Sequence, residues 1–182
     1  TLASDTNSKD LIIVKYIEGT GNNKALEIVN NTGHEVNLNN YRLNIQFYDS
    51  VSGNYYLGNS YELEGKIANN QSFVILNPKS TLSCYTNSNA KFLTASEALS
   101  FSGTQYIELV YNTTTIDAVG TKFTSNTNTD VSLYRKSTVT QPSAIYSNTE
   151  WDSYAANYCQ NIGSLSVSEN IVAKSEEFKI YP

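Results

Sequence analysis

Glu18 and Glu27 stand on either side of Gly19-Thr20-Gly21-Asn22-Asn23, a cluster of turn-forming residues. If the flanking stretches pair as a hairpin, the two carboxylates can approach each other across it. With Asp117 they would offer the oxygen ligands that calcium takes. They would equally offer a carboxyl pair of the kind that hydrolyses a glycosidic bond. The plainer reading, and the one we expect, makes them solvated strand-edge charges neutralised by Lys15 and Lys24. His34 is the only histidine, and it sits in the turn setting Asn31-Thr32-Gly33-His34-Glu35. No G-x-S-x-G elbow accompanies it, so serine catalysis lacks its nucleophile. A cysteine nucleophile, Cys84 or Cys159 with His34, has no local sequence support. Phosphate-cradle and EF-hand patterns are absent.

Cys84 and Cys159 are the only thiols. Neither belongs to a C-x-x-C pair, and one histidine is too few for an ordinary His/Cys zinc site. In an oxidising compartment the pair would form one disulfide. Otherwise the two remain half-buried thiols. The 14 tyrosines and single tryptophan could line a sugar-binding surface, although aromatics at alternating positions more often serve as core and cross-strand partners.

These groups need a frame to hold them. The chain has 182 residues, 40% of them hydrophobic, enough for one domain with a substantial core. Charged residues are only 16%, against roughly 25% in a typical soluble protein. Asn, Ser and Thr together make up 63 of 182 residues and carry the polar share. That composition favours strands and turns over helices. The net charge of −5, without a basic stripe, argues against a nucleic-acid partner. No apolar run is long enough to span a membrane as a helix. Thr1 to Asp5 lack the basic start and apolar stretch of a signal peptide.

Along the chain, 11–17 reads as a strand buried on much of both faces and 24–30 as its hairpin partner. A short edge follows at 34–38. Residues 41–48 alternate apolar and polar, as a half-buried strand does. Further strands are expected at 55–58, 60–67, 73–76, 99–101, 106–111, 115–119 and 131–135. Residues 79–97 are ambiguous between loop and short helix, and 140–163 read as an irregular closing segment. Eight to ten short strands separated by turns predict an all-β sandwich or barrel. Residues 1–10 are expected to be flexible, and the polar stretch from 165 to be a linker.

Specific blocks carry a resemblance. Leu11-Ile-Ile-Val-Lys-Tyr-Ile-Glu-Gly-Thr-Gly-Asn-Asn-Lys-Ala-Leu-Glu-Ile-Val-Asn30 resembles the opening hairpin of bacterial lamin-tail domains. Asn31 to Leu43 resembles that family's turn and third strand. Leu63 to Ile67, Ser72 to Asn77, Ile107 to Val110, Ile116 to Gly120, Ser132 to Lys136 and Glu150 to Tyr154 follow in the family's order. The resemblance implies an immunoglobulin-like, Greek-key β-sandwich over 11–164. It implies an accessory module of secreted or surface proteins, without catalytic residues of its own. The two cysteines are not part of that pattern.

The tail, ending Phe178-Lys-Ile-Tyr-Pro182, resembles the linker and first strand of a type IX secretion sorting domain of Bacteroidetes. That resemblance implies passage through the secretion machinery to the outer surface of a Gram-negative bacterium or beyond it. It thereby favours the Cys84–Cys159 disulfide. The expected function is a non-catalytic module that binds a partner, a surface glycan or matrix protein, or scaffolds a neighbouring domain. The alternatives are a carboxylate- or metal-dependent hydrolase built on Glu18, Glu27 and Asp117, with calcium as the metal such a site would take, or a structural spacer.

Overall fold

The computed structural model describes residues 7–85 and 93–163, with backbone only for Leu93–Ala95. Residues 1–6, 86–92 and 164–182, including the motif at 178–182, lie outside the described residues. The strands are β1 (Ile12–Glu18), β2 (Lys24–Asn30), β3 (Val36–Asn37), β4 (Tyr41–Asp49), β5 (Asn54–Glu62) and β6 (Lys66–Ile67). They continue with β7 (Gln71–Leu76), β8 (Leu93–Ala95), β9 (Tyr106–Tyr111), β10 (Thr114–Val119), β11 (Val131–Arg135) and β12 (Trp151–Ala155). A 3-10 turn, Asn148–Glu150, precedes β12.

The strands form a six-stranded sheet, β12-β11-β1-β2-β7-β8, and a four-stranded sheet, β10-β9-β4-β5, with β3 and β6 paired separately. Among the described residues only β7 and β8 run parallel. The two sheets pack face to face, so the predicted all-β sandwich is the observed fold. The chain crosses between them: β1 and β2 lie in one sheet, β4 and β5 in the other, and β7 returns to the first.

Alternation explains the main core. In β4, Leu43 and Ile45 point inward with Tyr41, and they meet Leu26 and Ile28 of β2, Phe73 and Ile75 of β7, and Ile107 and Leu109 of β9. A second cluster lies on the outer face of the six-stranded sheet. There Ile17, Ala25, Val74 and Leu76 are covered by Leu82, Tyr85, Cys159 and Ile162. Cys84 and Cys159 form a disulfide with a Cα–Cα distance of 5.9 Å, clipping the two covering segments together. With both faces covered, all seven residues of β2 are buried.

The structure departs from the sequence expectations in several places. Residues 54–62 form one strand rather than two pieces. The break expected after Gly58 is a bulge instead: Ile45 pairs with Asn59 and Gln46 with Leu57, so Gly58 is skipped. A Cβ on Gly58 would lie 1.9 Å from the Phe47 ring, a close approach that glycine permits. Leu99 to Phe101 form no strand. Their alternation comes from two residues plugging the core from a loop, and Phe101 stacks on Tyr16 at 5.1 Å. Within 140–163, β12 is regular; its burial is confined to Trp151, so it shows no period. Leu93–Ala95, within a stretch expected to be loop or short helix, form strand β8. Residues 7–10 hydrogen-bond to the rest of the chain. Ser8 N–H donates to Asn31 O at 2.9 Å, and Lys9 N–H donates to Gln141 Oε1 at 2.8 Å.

Candidate functional site

The three expected carboxylates do not come together. Register places Glu18 opposite Lys24 and Glu27 opposite Lys15. Lys15 and Glu18 are three residues apart on one strand, so their side chains leave opposite faces of the sheet. Glu27 therefore lies beneath the covering segments, while Glu18 lies on the other face. Lys15 Nζ reaches Glu27 Oε1 at 2.9 Å and Asn161 O at 3.1 Å. Ser72 Oγ and Gly163 N–H also donate to Glu27, at 2.7 and 2.8 Å. Glu18 pairs with Lys24 at 2.5 Å and accepts from the Asp130 N–H.

Asp117 belongs to the other sheet. It ties the sandwich together by accepting from Ile13 N–H at 2.8 Å, Arg135 Nη1 at 2.9 Å and Ser143 N–H at 3.0 Å. Burial pushes its carboxyl above the ordinary value, against the pull of Arg135 and the two backbone donors. Arg135 also reaches Glu150 at 2.6 Å and lies over the Trp151 ring at 4.7 Å.

The lysine partners are those expected, but the setting is not solvated. Glu18, Glu27 and Asp117 are 4%, 1% and 0% exposed. Among the described residues no three His, Cys, Asp or Glu side chains gather where they could hold a metal ion. His34 is exposed, with Nδ1 2.9 Å from Glu35 O.

A different set of groups forms an open surface. Because Tyr41, Leu43 and Ile45 of β4 face the core, Arg42, Asn44, Gln46 and Tyr48 face outward from the four-stranded sheet. Across β5 stand Glu62 opposite Arg42, Ser60 opposite Asn44, Leu57 opposite Gln46 and Tyr55 opposite Tyr48. On the other side β9 places Glu108 opposite Asn44 and Tyr106 opposite Gln46.

Glu108 organises this face. Its carboxylate accepts from Gln46 Nε2 at 2.7 Å, Thr115 Oγ1 at 2.7 Å and Asn44 Nδ2 at 3.3 Å. Lys122 Nζ lies 3.8 Å away. Burial alone would push the Glu108 carboxyl up. The hydrogen bonds from Thr115, Gln46 and Asn44, together with Lys122, outweigh burial and hold the group below its ordinary value. Ser60 Oγ donates to Asn44 Oδ1 at 2.8 Å. The polar side chains are thus oriented by a buried anion and by one another.

The face has two unlike ends. At one end the loop after β10 closes over it. Lys122 sits over the Tyr106 ring at 5.2 Å, and Tyr55 Oη accepts from Asn126 Nδ2 at 2.7 Å. Tyr48 packs on Tyr55 with ring centroids 5.2 Å apart, and Leu57 remains 56% exposed beside them. At the other end a cleft of about 350 Å³ opens, lined by Asn39, Asn40, Arg42, Glu62, Glu64 and Asn112 among others. Two asparagines in left-handed turns, Asn40 at φ 74° and Asn112 at φ 53°, shape its rim. Asn112 N–H donates to Asn40 O at 2.9 Å, and Arg42 Nη2 donates to Asn112 O at 2.6 Å. Among the described residues, no hydrogen bond or ion pair engages the Glu62 or Glu64 carboxylate.

Sequence reasoning missed this arrangement. The polar half of the 41–48 alternation marked Arg42, Asn44 and Gln46 as outward-facing. Glu108 carried no such mark, because it lies in Tyr106-Ile-Glu-Leu-Val110, which reads as a core strand. Among the described residues no helix is long and apolar enough to cross a membrane. No protein-family model, curated protein or solved structure matches this chain.

Proposed function

We propose that this chain is a non-catalytic module of a secreted or surface-displayed protein, and that it holds a glycan on the open face of its four-stranded sheet. One observation carries this reading. Asn44, Gln46, Ser60 and Thr115 form a hydrogen-bonded polar strip around Glu108, and the strip leads into a cleft whose carboxylates are uncommitted. Amide, hydroxyl, carboxylate and guanidinium groups fixed in place match the vicinal hydroxyls of a sugar. Fixing them beforehand lowers the entropy cost of binding. Tyr48 and exposed Leu57 add an apolar surface for the C–H face of a ring.

Export is supported by the Cys84–Cys159 disulfide, which suits an oxidising compartment. It is also supported by the resemblance of 178–182 to a sorting-domain start and of 11–164 to lamin-tail modules. Secretion machinery is then the partner in transit, and the glycan the partner at the destination.

A broad glycan array tests the reading. We expect binding that falls at least tenfold for Arg42→Ala and for Glu62→Ala, with melting temperature unchanged. No bound glycan, or binding indifferent to both changes, overturns it.

A further inference from the structure

The shape and charge of the open face define the ligand more narrowly. We propose that it is a linear, uncharged oligosaccharide lying parallel to β4 and β5 across about three sugar rings, from the Leu57–Gln46 row to the cleft at Glu64. This rests on reading the face as a glycan site.

The direction follows from what is blocked. Toward β9 the face rises into Tyr106 and Lys122, which pack on each other. Beyond Tyr55 the loop bearing Thr124 and Asn126 seals it: Tyr55 Oη lies 3.0 Å from Thr124 O and 2.7 Å from Asn126 Nδ2. Only the lane over β4 and β5 remains, and it runs toward the cleft.

The length follows from the strand rise. Gln46 to Arg42 is four residues, about 13 Å at ~3.3 Å per residue, the span of roughly three linked pyranose rings. Three rows of groups stand along it: Leu57 with Gln46, Ser60 with Asn44, and Glu62 with Arg42.

The charge follows from what cancels. Arg42 stands opposite Glu62, and Lys122 lies 3.8 Å from Glu108. Glu64 is left over, on a chain whose net charge is −5. A uronate or sulfated chain would meet repulsion there, whereas neutral hydroxyls can donate to the Glu62 and Glu64 carboxylates and to Gln46 Oε1. A peptide added as a strand would pair along the outer edge of β5, not across this face.

Titration calorimetry decides the matter. The probes are β-1,4-linked gluco-, manno- and xylo-oligosaccharides of one to six units, with oligogalacturonates as the acidic counterpart. In at least one neutral series we expect Kd to tighten about tenfold for each ring up to the third and then level off, with the acidic series unbound. Gln46→Ala should weaken the trimer but leave a dimer seated in the cleft nearly unaffected, while Glu62→Ala should weaken both. If a glycan binds but a single ring binds as tightly as a hexamer, the lane is refuted and the glycan reading stands. The lane is likewise refuted if the acidic series binds best. If no glycan binds here or on the array, both readings fall together.

Discussion

Reducing the Cys84–Cys159 bond removes a constraint whose size can be worked out. The bond joins residues 75 apart. Cross-linking a loop of that length lowers unfolded-chain entropy by an amount worth about 4 kcal/mol at room temperature. For a chain of this size, 1 kcal/mol moves Tm by about 2–4 °C. Full reduction should therefore lower Tm by roughly 10–15 °C, as should Cys84→Ser with Cys159→Ser. The loss has a local signature as well. The bond holds Leu82, Tyr85 and Ile162 over Ile17, Ala25, Val74 and Leu76. It also holds the Gly163 amide on the Glu27 carboxylate. Calorimetry with and without a thiol-free reductant gives the first number, and hydrogen exchange at Ile162 and Gly163 gives the second. We expect those amides to lose protection while β4 and β9 keep theirs. A Tm change under about 3 °C, together with two titratable thiols in untreated protein, would refute the reasoning.

Further perturbations test other parts of the structure. Asp117 and Glu108 should tilt stability in opposite directions with pH. The Asp117 carboxyl is raised by burial, so its contribution is full below the unfolded value and is lost as pH rises through the folded one. Glu108 is lowered, so its contribution is present above the unfolded value and is lost as pH falls through the folded one. Urea melts between about pH 3 and 7 should show the wild type losing ground to Asp117→Asn as pH rises and gaining on Glu108→Gln; parallel curves would remove the assignments. Gly58→Ala places a Cβ 1.9 Å from the Phe47 ring. It should cost about 1–3 kcal/mol in the wild type and less in a Phe47→Ala background, and an additive double mutant would contradict that contact. Calcium or a chelator should leave Tm unchanged, because Glu18, Glu27 and Asp117 are each committed to separate ion pairs; a rise of several degrees with calcium would restore the three-carboxylate site.

Much of the fold was legible because strands show in sequence either as alternation, as in Tyr41 to Tyr48, or as short apolar runs between turn residues. Lys24 to Asn30, Tyr106 to Tyr111 and Val131 to Arg135 are strands at the expected residues, each bounded by turn residues. What escaped lacked a period. Trp151–Ala155 buries only its first side chain, so an edge strand looks irregular in sequence. Leu99 and Phe101 have the right spacing, but they act as plugs from a loop.

The candidate site was legible in parts. The hairpin was foreseeable, and strand parity then settles that Glu18 and Glu27 leave opposite faces, since Glu27 pairs with Lys15 and 15 and 18 differ by an odd number. The burial of the Lys15–Glu27 pair was not foreseeable, because it depends on covering segments brought in from residues 79–85 and 157–163, and that of the Lys24–Glu18 pair was not, because Glu18 lies on the opposite face and takes the Asp130 N–H. Likewise, the role of Glu108 depends on Gln46, Thr115 and Lys122, which only the sheet order brings beside it.

The disulfide also sets how the protein carries load. If the chain is pulled from its two ends, tension runs along the backbone as far as Cys84 and then crosses the S–S bond to Cys159. The stretch between them, which includes β9, β10, β11 and β12, is bypassed and cannot be paid out. At ~3.4 Å per residue that withholds about 250 Å of contour length, so a single-molecule trace should show a correspondingly short extension that lengthens when reductant is added. Glu108 and Thr115 lie inside the bypassed stretch, whereas β4 and β5, which carry the rest of the lane, lie in the loaded part. A strong enough pull would strip the lane of two strands and leave its anchoring anion behind.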